Sequence, residues 1–271
     1  MNTQVGVAWR AELSHFIAQG ENEIAISEVL AENFWEHRHL PAALLNLRDS
    51  GVPVIPHAVS LSLGGARQPD DIKLHRLGAL AEKLQAPYVS EHFAFTRAAG
   101  LESGHLLPFK RTQQTLEVVI ENIRYAQERL PVPLCLENIA TFFDWPDHEI
   151  SEPQFIKTII EETSIGLLLD VSNLYTNHIN LGWSYTDYLD TIPLSAIAYV
   201  HIAGGCIIGK FQHDTHAHPL QQGPLSVLSD LAQRITLPAV LLEQDDNYQS
   251  IASVRSELDL IGQALRAPAI W

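Results

Sequence analysis

Polar residues of one chemical kind recur in this chain at one kind of place. His57 follows the apolar run Val52–Pro56, and Glu91 and His92 follow Tyr88–Ser90. Glu137 and Asn138 follow Leu134–Leu136, while Asp170 and then Asn173 follow Gly166–Leu169. His201 follows Ile197–Val200, and Glu243, Asp245 and Asp246 follow Ala239–Leu242. A lone histidine after an apolar run is usually a hydrogen-bonded structural residue. Six successive runs ending in His, His, Glu, Asp, His and Glu require another explanation. Carboxylates and imidazoles crowded out of water repel one another, and a multivalent cation relieves that repulsion.

A second cluster is the segment His213-Asp-Thr-His-Ala-His218. Asp214 and His216 are expected as further ligands, folded over the site from a loop, with His213 and His218 beside them. The candidate metal set is therefore His57, His92, Glu137, Asp170, Asn173, His201, Asp214, His216 and Glu243. The same residues without Asn173 form the candidate catalytic set. One zinc needs three or four protein ligands, so this set suits two or three metals sharing bridging carboxylates. Imidazole and carboxylate without thiolate fit iron, manganese or zinc equally.

Strands and helices must bring these residues together. Short β-rich runs alternate with amphipathic stretches, the pattern of βαβ units and a parallel sheet. The predicted strands are the six runs above together with Val5–Ala8 and Glu23–Val29, the latter ending with Glu28, then Glu32 and Asn33. Helices are expected over 74–84, over 112–130 with Thr112 as N-cap and Pro131 as stop, over 154–162 behind Glu152-Pro153, and over 250–265. Eight such units predict an α/β fold, a (β/α)₈ TIM barrel of the xylose-isomerase-like kind, as a single domain spanning 1–271. In such barrels the chemistry sits at the C-terminal ends of the strands, where the candidate ligands stand.

Composition narrows the function. With 17 basic and 32 acidic residues the net charge is −15, which argues against nucleic acid and anionic membranes as partners. The first ten residues lack a basic stretch followed by an apolar run, and no apolar run approaches membrane length, so a cytoplasmic protein is expected. Cys135 and Cys206 lie in apolar runs and read as buried thiols. Arg10, Glu32 and Ser60 are candidates for substrate contact or for structural pairing. Trp35, Trp145 and Trp183 could line a groove or plug gaps between helices and barrel.

The order and spacing of these segments resemble the multinuclear non-heme iron-dependent oxidative enzymes, a bacterial family long catalogued as a domain of unknown function. The resemblance rests on Ser27-Glu-Val-Leu-Ala-Glu-Asn33, Pro56-His-Ala-Val-Ser-Leu-Ser-Leu-Gly64, Val89-Ser-Glu-His92 and Leu106-Leu-Pro108. It continues through Leu136-Glu-Asn138, Ser151-Glu-Pro-Gln-Phe155, Leu167-Leu-Leu-Asp-Val-Ser-Asn173, His201-Ile-Ala-Gly204, Asp214-Thr-His216 and Leu242-Glu243. It implies a barrel holding two or three irons of mixed Fe(II)/Fe(III) valence, with O2 as co-substrate. It also implies cysteine residues of a ribosomally made precursor peptide as the target, as in natural product biosynthesis, and a small partner protein that presents the peptide. By position it assigns His57, His92 and Glu137 to one iron, with Glu137 a bridge, Asp170, His201 and Glu243 to a second, and Asn173, Asp214 and His216 to a third. Departures from the pattern occur at Ala58, Gly205, Asn180-Leu-Gly182 and Gln244. They leave the ligand set intact and bear on the substrate.

Two other readings remain. One is a metal-dependent hydrolase or isomerase of the xylose isomerase or endonuclease barrel type, for which Lys110 or Lys210 would be the lysine near the metals. The other is a non-catalytic protein that stores or senses metal.

Overall fold

The structure, a computed structural model, describes residues 3–19, 24–37, 39–248 and 250–266. Eight parallel strands close into a barrel: Gln4–Ala8, Ser27–Leu30, Val54–His57, Val89–His92, Leu134–Glu137, Gly166–Asp170, Ile197–Ala203 and Ala239–Glu243. The last strand pairs with the first, Val5 opposite Val240 and Val7 opposite Leu242, so the barrel closes on itself without a free edge. The expected (β/α)₈ barrel is the fold. Each predicted strand is present. The second starts at Ser27, later than expected, and Glu23 lies outside the described residues.

The boundaries differ in one consistent way. His57, His92, Glu137, Asp170 and Glu243 are the last residues of their strands, where the sequence reading placed them just beyond. His201 lies inside its strand, two residues before the end. The ladder runs on through these polar residues because backbone pairing is indifferent to side-chain type. His92 pairs with Glu137, and Asp170 with His201.

Strand alternation then decides what the barrel encloses, because residues two apart share a face. Ala8, Ile26, Ile55, Cys135, Leu168, Tyr199, Ala239 and Leu241 form a small cluster of their own, separate from the large core between barrel and helices. Ile55, Cys135, Leu168, Tyr199 and Leu241 stand two residues before His57, Glu137, Asp170, His201 and Glu243. The ligand candidates thus face the barrel interior, one layer above this floor. The intervening Leu136, Leu169, Val200 and Leu242 face outward into the large core. Burial on both faces explains why the strands read as continuous apolar runs.

Helices start where the sequence places caps. Thr112 accepts from the Thr115 N–H at 3.1 Å to open Gln113–Gln127, and Pro153 lies in the first turn of Glu152–Thr163. Ser250 caps Ile251–Ala264. Asp70 accepts from the Ile72 N–H at 2.8 Å, opening Asp71–Leu84 three residues ahead of its expected start. Two antiparallel hairpins, Phe95–Ala98 with Leu101–Leu107 and Cys206–Ile208 with Phe211–His213, project from the fourth and seventh strands and were not anticipated. Cys135 is buried as expected. Cys206 opens a hairpin strand and is only half-buried, a correction to its reading as core, and both thiols are free.

One buried charge cluster sits apart from the ligands. Arg111 reaches Asp144 at 3.3 Å and Glu152 at 3.5 Å, and His148 bonds Asp144. Burial, aided by Asp144 and opposed by Arg111, pushes the Glu152 carboxyl up to about 7. The folded protein therefore holds a proton there that the unfolded chain releases at about 4.5. Stability from this group is full below about pH 4.5 and is lost as pH rises through 7. Glu152→Gln removes the effect. The variant's stability relative to the parent should rise by roughly 3 kcal/mol between those pH values, read by urea unfolding across the window.

Candidate metal centre

The interior layer brings the strand-end residues within contact of one another. Four groups place one ligand atom from each member within 4.8 Å of the others: His57, His92 and Glu137; Glu137, Asp170 and His201; Glu28, His201 and Glu243; and Asp170, His216 and Glu243. Glu137 occupies the centre. Its Oε2 lies 3.4 Å from His57 Nε2 and 3.3 Å from His92 Nε2, and its Oε1 lies 3.4 Å from His201 Nδ1. Glu243 Oε2 lies 3.2 Å from His201 Nδ1 and 3.3 Å from His216 Nδ1.

Each imidazole is held from behind. His57 Nδ1 lies 2.8 Å from Ser90 Oγ. His92 Nδ1 lies 3.2 Å from the Ala58 carbonyl and 3.3 Å from Glu91 Oε1. Glu91 precedes His92 and so faces away from the barrel interior, where its carboxylate accepts from the Leu61 N–H at 2.8 Å. Asp170 is fixed by Asn138, whose amide donates to the Asp170 carbonyl at 3.0 Å while its oxygen accepts from the Asp170 N–H at 2.9 Å. Asp170 Oδ1 also accepts from the Asn173 N–H at 2.8 Å, capping the helix Val171–Leu181.

What these contacts leave over is informative. Glu137 Oε2, Asp170 Oδ2, Asn173 Oδ1 and His201 Nδ1 are buried without a hydrogen-bond partner. An unsatisfied buried polar atom costs roughly 1–3 kcal/mol. Four around one space fit the ligation of a cation, and the oxygen and nitrogen donors suit iron, manganese or zinc.

Protonation tells the same story. Burial opposes charge on His92 and His201, yet Glu137 with Glu91 raises His92 to about 9, and Glu28 with Glu137 raises His201 well above its ordinary value. Burial and the neighbouring His92 lower His57 to about 3. Asp170 is raised, by burial first and then by Glu137 and Asp214. Without metal, protons do the neutralising that a cation would do.

Asp214 and His216 reach the site from the loop after the second hairpin, with His216 Nε2 2.9 Å from Asp214 Oδ2. His213 instead packs tilted against Phe142, ring centroids 4.8 Å apart, and His218 pairs with Thr215 at 2.7 Å; among the described residues neither joins a ligand group. The loop depends on a close approach at Gly204. A Cβ there would meet the His218 carbonyl oxygen at 1.7 Å, against fixed backbone. Gly204→Ala is therefore expected to push the segment carrying Asp214 and His216 off the barrel mouth, at a cost of the roughly 1–3 kcal/mol typical of overpacking. The variant should lose bound metal while keeping its circular dichroism.

Arg10, Glu32 and Ser60 all make structural pairs, and Arg10 also lines the cleft above the ligands. Arg10 bonds Asp245 and lies 3.3 Å from Glu243, tying the first strand to the last. Glu32 accepts from Ser60 at 2.7 Å and from the Val59 N–H at 3.0 Å, fixing the loop after His57. Trp35 packs against the core and Trp183 lies under Arg111, while Trp145 lines a separate groove near Phe95. The residues that sequence reasoning missed are Trp9, Phe142 and Phe143, which line the cleft above the ligands, and Tyr199, which lies below them. That cleft measures about 1140 Å³, and Leu106-Leu-Pro108 forms part of its rim. Lys110 and Lys210 do not line it.

Solved structures similar to this chain share the barrel. A putative xylose isomerase from Rhodospirillum rubrum superposes with a TM-score of 0.64 at 14% identity, covering 98% of this chain and 100% of its own. An L-ribulose 3-epimerase does so with a TM-score of 0.61 at 15% identity, covering 97% and 95%. At such identities the likeness shows the fold alone. Sequence relatives are closer. A UPF0276 protein of Streptomyces avermitilis is 47% identical over 267 residues, 96% of this chain but 54% of that protein, so this chain spans about half its length. UPF0276 proteins of Caulobacter vibrioides and Chromobacterium violaceum are 31% and 30% identical, over 86% and 93% of this chain and 83% and 91% of theirs. The pattern defining the family described as "RiPP precursor modification enzyme MbnB/TglH/ChrH" matches residues 4–266, and with the strand-end ligand pattern in place the chain belongs to that family.

Proposed function

We propose that this chain is a single-domain cytoplasmic oxidoreductase that uses two or three irons and O2 to modify cysteine residues of a ribosomally made precursor peptide. The observation that carries the reading is Glu137, one carboxylate facing two imidazoles with one oxygen and a third with the other. A single metal would not need such a bridge.

His57, His92 and Glu137 would hold one iron, and Asp170, His201 and Glu243 a second that shares Glu137. Asn173, Asp214 and His216 would serve a third, where the structure adds Asp170 and Glu243 beside His216. When bound, the irons would supply dioxygen reduction and a Lewis-acidic position for the substrate thiolate. The chain's own residues do the rest. Ser90, Ala58 and Glu91 orient the first imidazole pair, and Asn138 pins Asp170. Trp9, Phe34, Phe142 and Phe143 line the cleft and would shed water around an extended peptide. The cleft exceeds the roughly 300–1,000 Å³ of common small-molecule pockets, which favours a peptide over a single sugar. The family description names a precursor peptide as substrate; a small presenting partner belongs to the proposal alone.

The test is a mass spectrum and an oxygen electrode. Iron-loaded protein should consume O2 only with a cysteine-containing precursor peptide and should change that peptide's mass. Full-rate modification without iron, or without O2, would refute the reading.

A further inference from the structure

The floor beneath the ligands is apolar except at two places. Tyr199 and Ser90 stand two residues before His201 and His92, so strand alternation puts them directly under the ligand layer. Both are wholly buried, and Glu28 is 1% exposed. Tyr199 Oη lies 2.6 Å from Glu28 Oε2 and 2.7 Å from Ser90 Oγ. Ser90 Oγ lies 2.8 Å from His57 Nδ1, and Glu28 Oε2 lies 3.0 Å from His201 Nε2. One unbroken chain of hydrogen bonds therefore runs from the back of His57 to the back of His201, five residues from four strands.

Counting hydrogens gives this chain a single direction. A carboxylate only accepts, so the Tyr199 O–H and the His201 Nε2–H both donate to Glu28. Tyr199 has no second hydrogen, so Ser90 must donate to it. The Ser90 hydrogen is then spent, and His57 must donate its Nδ1–H to Ser90. With both rings neutral, as metal binding requires, each is left with a bare nitrogen on the other side: Nε2 of His57 and Nδ1 of His201, the two atoms that face opposite oxygens of Glu137. Reversing the chain would put the proton of His57 on Nε2, the nitrogen that a metal needs.

We propose that Glu28, Tyr199 and Ser90 form a positioning strut that sets the tautomers of His57 and His201 together, so that the two metal positions bridged by Glu137 are assembled as one unit. The inference rests on the metal reading above and assigns Tyr199 a role at His57, which it does not touch. A metal-binding histidine whose outer hydrogen bond is removed loses roughly 10–100-fold in affinity. Tyr199→Phe keeps the ring, its place in the floor and the Glu28–His201 bond, and removes both bonds of the phenol, to Glu28 and to Ser90, so that His57 is no longer linked to Glu28.

The experiment loads histidine-¹⁵N-labelled protein with Zn²⁺ and records ring-nitrogen spectra together with a zinc titration. Wild type should show His57 protonated at Nδ1 and His201 at Nε2. Tyr199→Phe and Ser90→Ala should each weaken the His57-side zinc by roughly 10–100-fold and blur the His57 Nδ1–H signal, leaving His201 unchanged. Ser90→Ala reads the same link if Tyr199→Phe does not fold. Wild-type zinc affinity and an unaltered His57 signal in both variants would overturn the strut. So would loss of a whole zinc equivalent in Glu28→Gln with Tyr199→Phe unaffected, which would make Glu28 a ligand. A wild-type protein that takes up no metal at all would instead sink the metal reading on which the strut rests.

Discussion

Glu137→Gln is expected to lose at least one metal per chain and essentially all activity on the peptide. The substitution keeps the shape of the side chain but leaves one acceptor oxygen where there were two. That one oxygen cannot serve both His57 with His92 on one side and His201 on the other. The amide N–H₂ cannot ligate a cation, and by donating to a bare imidazole nitrogen it would occupy the lone pair that the metal needs. The loss should exceed the roughly 10–100-fold that follows removal of an outer partner of a ligand. Glu91→Gln supplies the comparison. Glu91 also stands at the end of a barrel strand, but it touches the back of His92 and the Leu61 N–H. It should keep the full metal count and fall only within that smaller range. Metal analysis after gel filtration, paired with peptide turnover, separates the two. Glu137→Gln retaining every metal would remove the bridge from the account.

Metal removal is the second large effect, and it carries a pH dependence. Against burial, Glu137 and Glu91 hold a proton on His92 up to about pH 9, and Glu28 and Glu137 hold one on His201. A cation binds the neutral ring, so each uptake must expel protons. The raised values mean that expulsion is costly below about pH 9. Affinity should therefore strengthen as pH rises towards 9, by about tenfold per pH unit for each proton displaced. At pH 8, metal at a hundred times its dissociation constant should stabilise the fold by roughly 2.7 kcal/mol, so a chelator should lower the melting temperature by roughly 5–10 °C. At pH 6 the chelator's effect should shrink. Calorimetry with and without chelator at both pH values checks the sign, and an equal effect at the two would contradict it.

The parts of the site that were legible in the sequence were those with a chemical signature. Imidazoles and carboxylates after apolar runs point to the barrel's C-terminal mouth, and the structure brings His57, His92, Glu137, Asp170, His201, His216 and Glu243 into mutual contact there. Glu91 is a strand-end carboxylate of the same kind, yet the two-residue period turns it outward. Tyr199 was hidden because an aromatic residue within Ile197–Val200 looks like core, and only its hydroxyl makes it part of the site. Arg10 could not be placed from sequence because its partners Glu243 and Asp245 are more than 230 residues away and meet it only when the barrel closes. The hairpin Cys206–Ile208 with Phe211–His213 was missed because its strands are three residues each, too short for alternation to show.

Elemental analysis of protein purified without oxygen, read with Mössbauer spectroscopy, tests the central claim most directly. Two or three irons per chain with antiferromagnetic coupling is the expected result, since the coupling reports irons bridged as Glu137 would bridge them. Zinc or manganese persisting without iron, even after anaerobic iron loading, would contradict the oxygen chemistry and return the barrel to the hydrolases and isomerases.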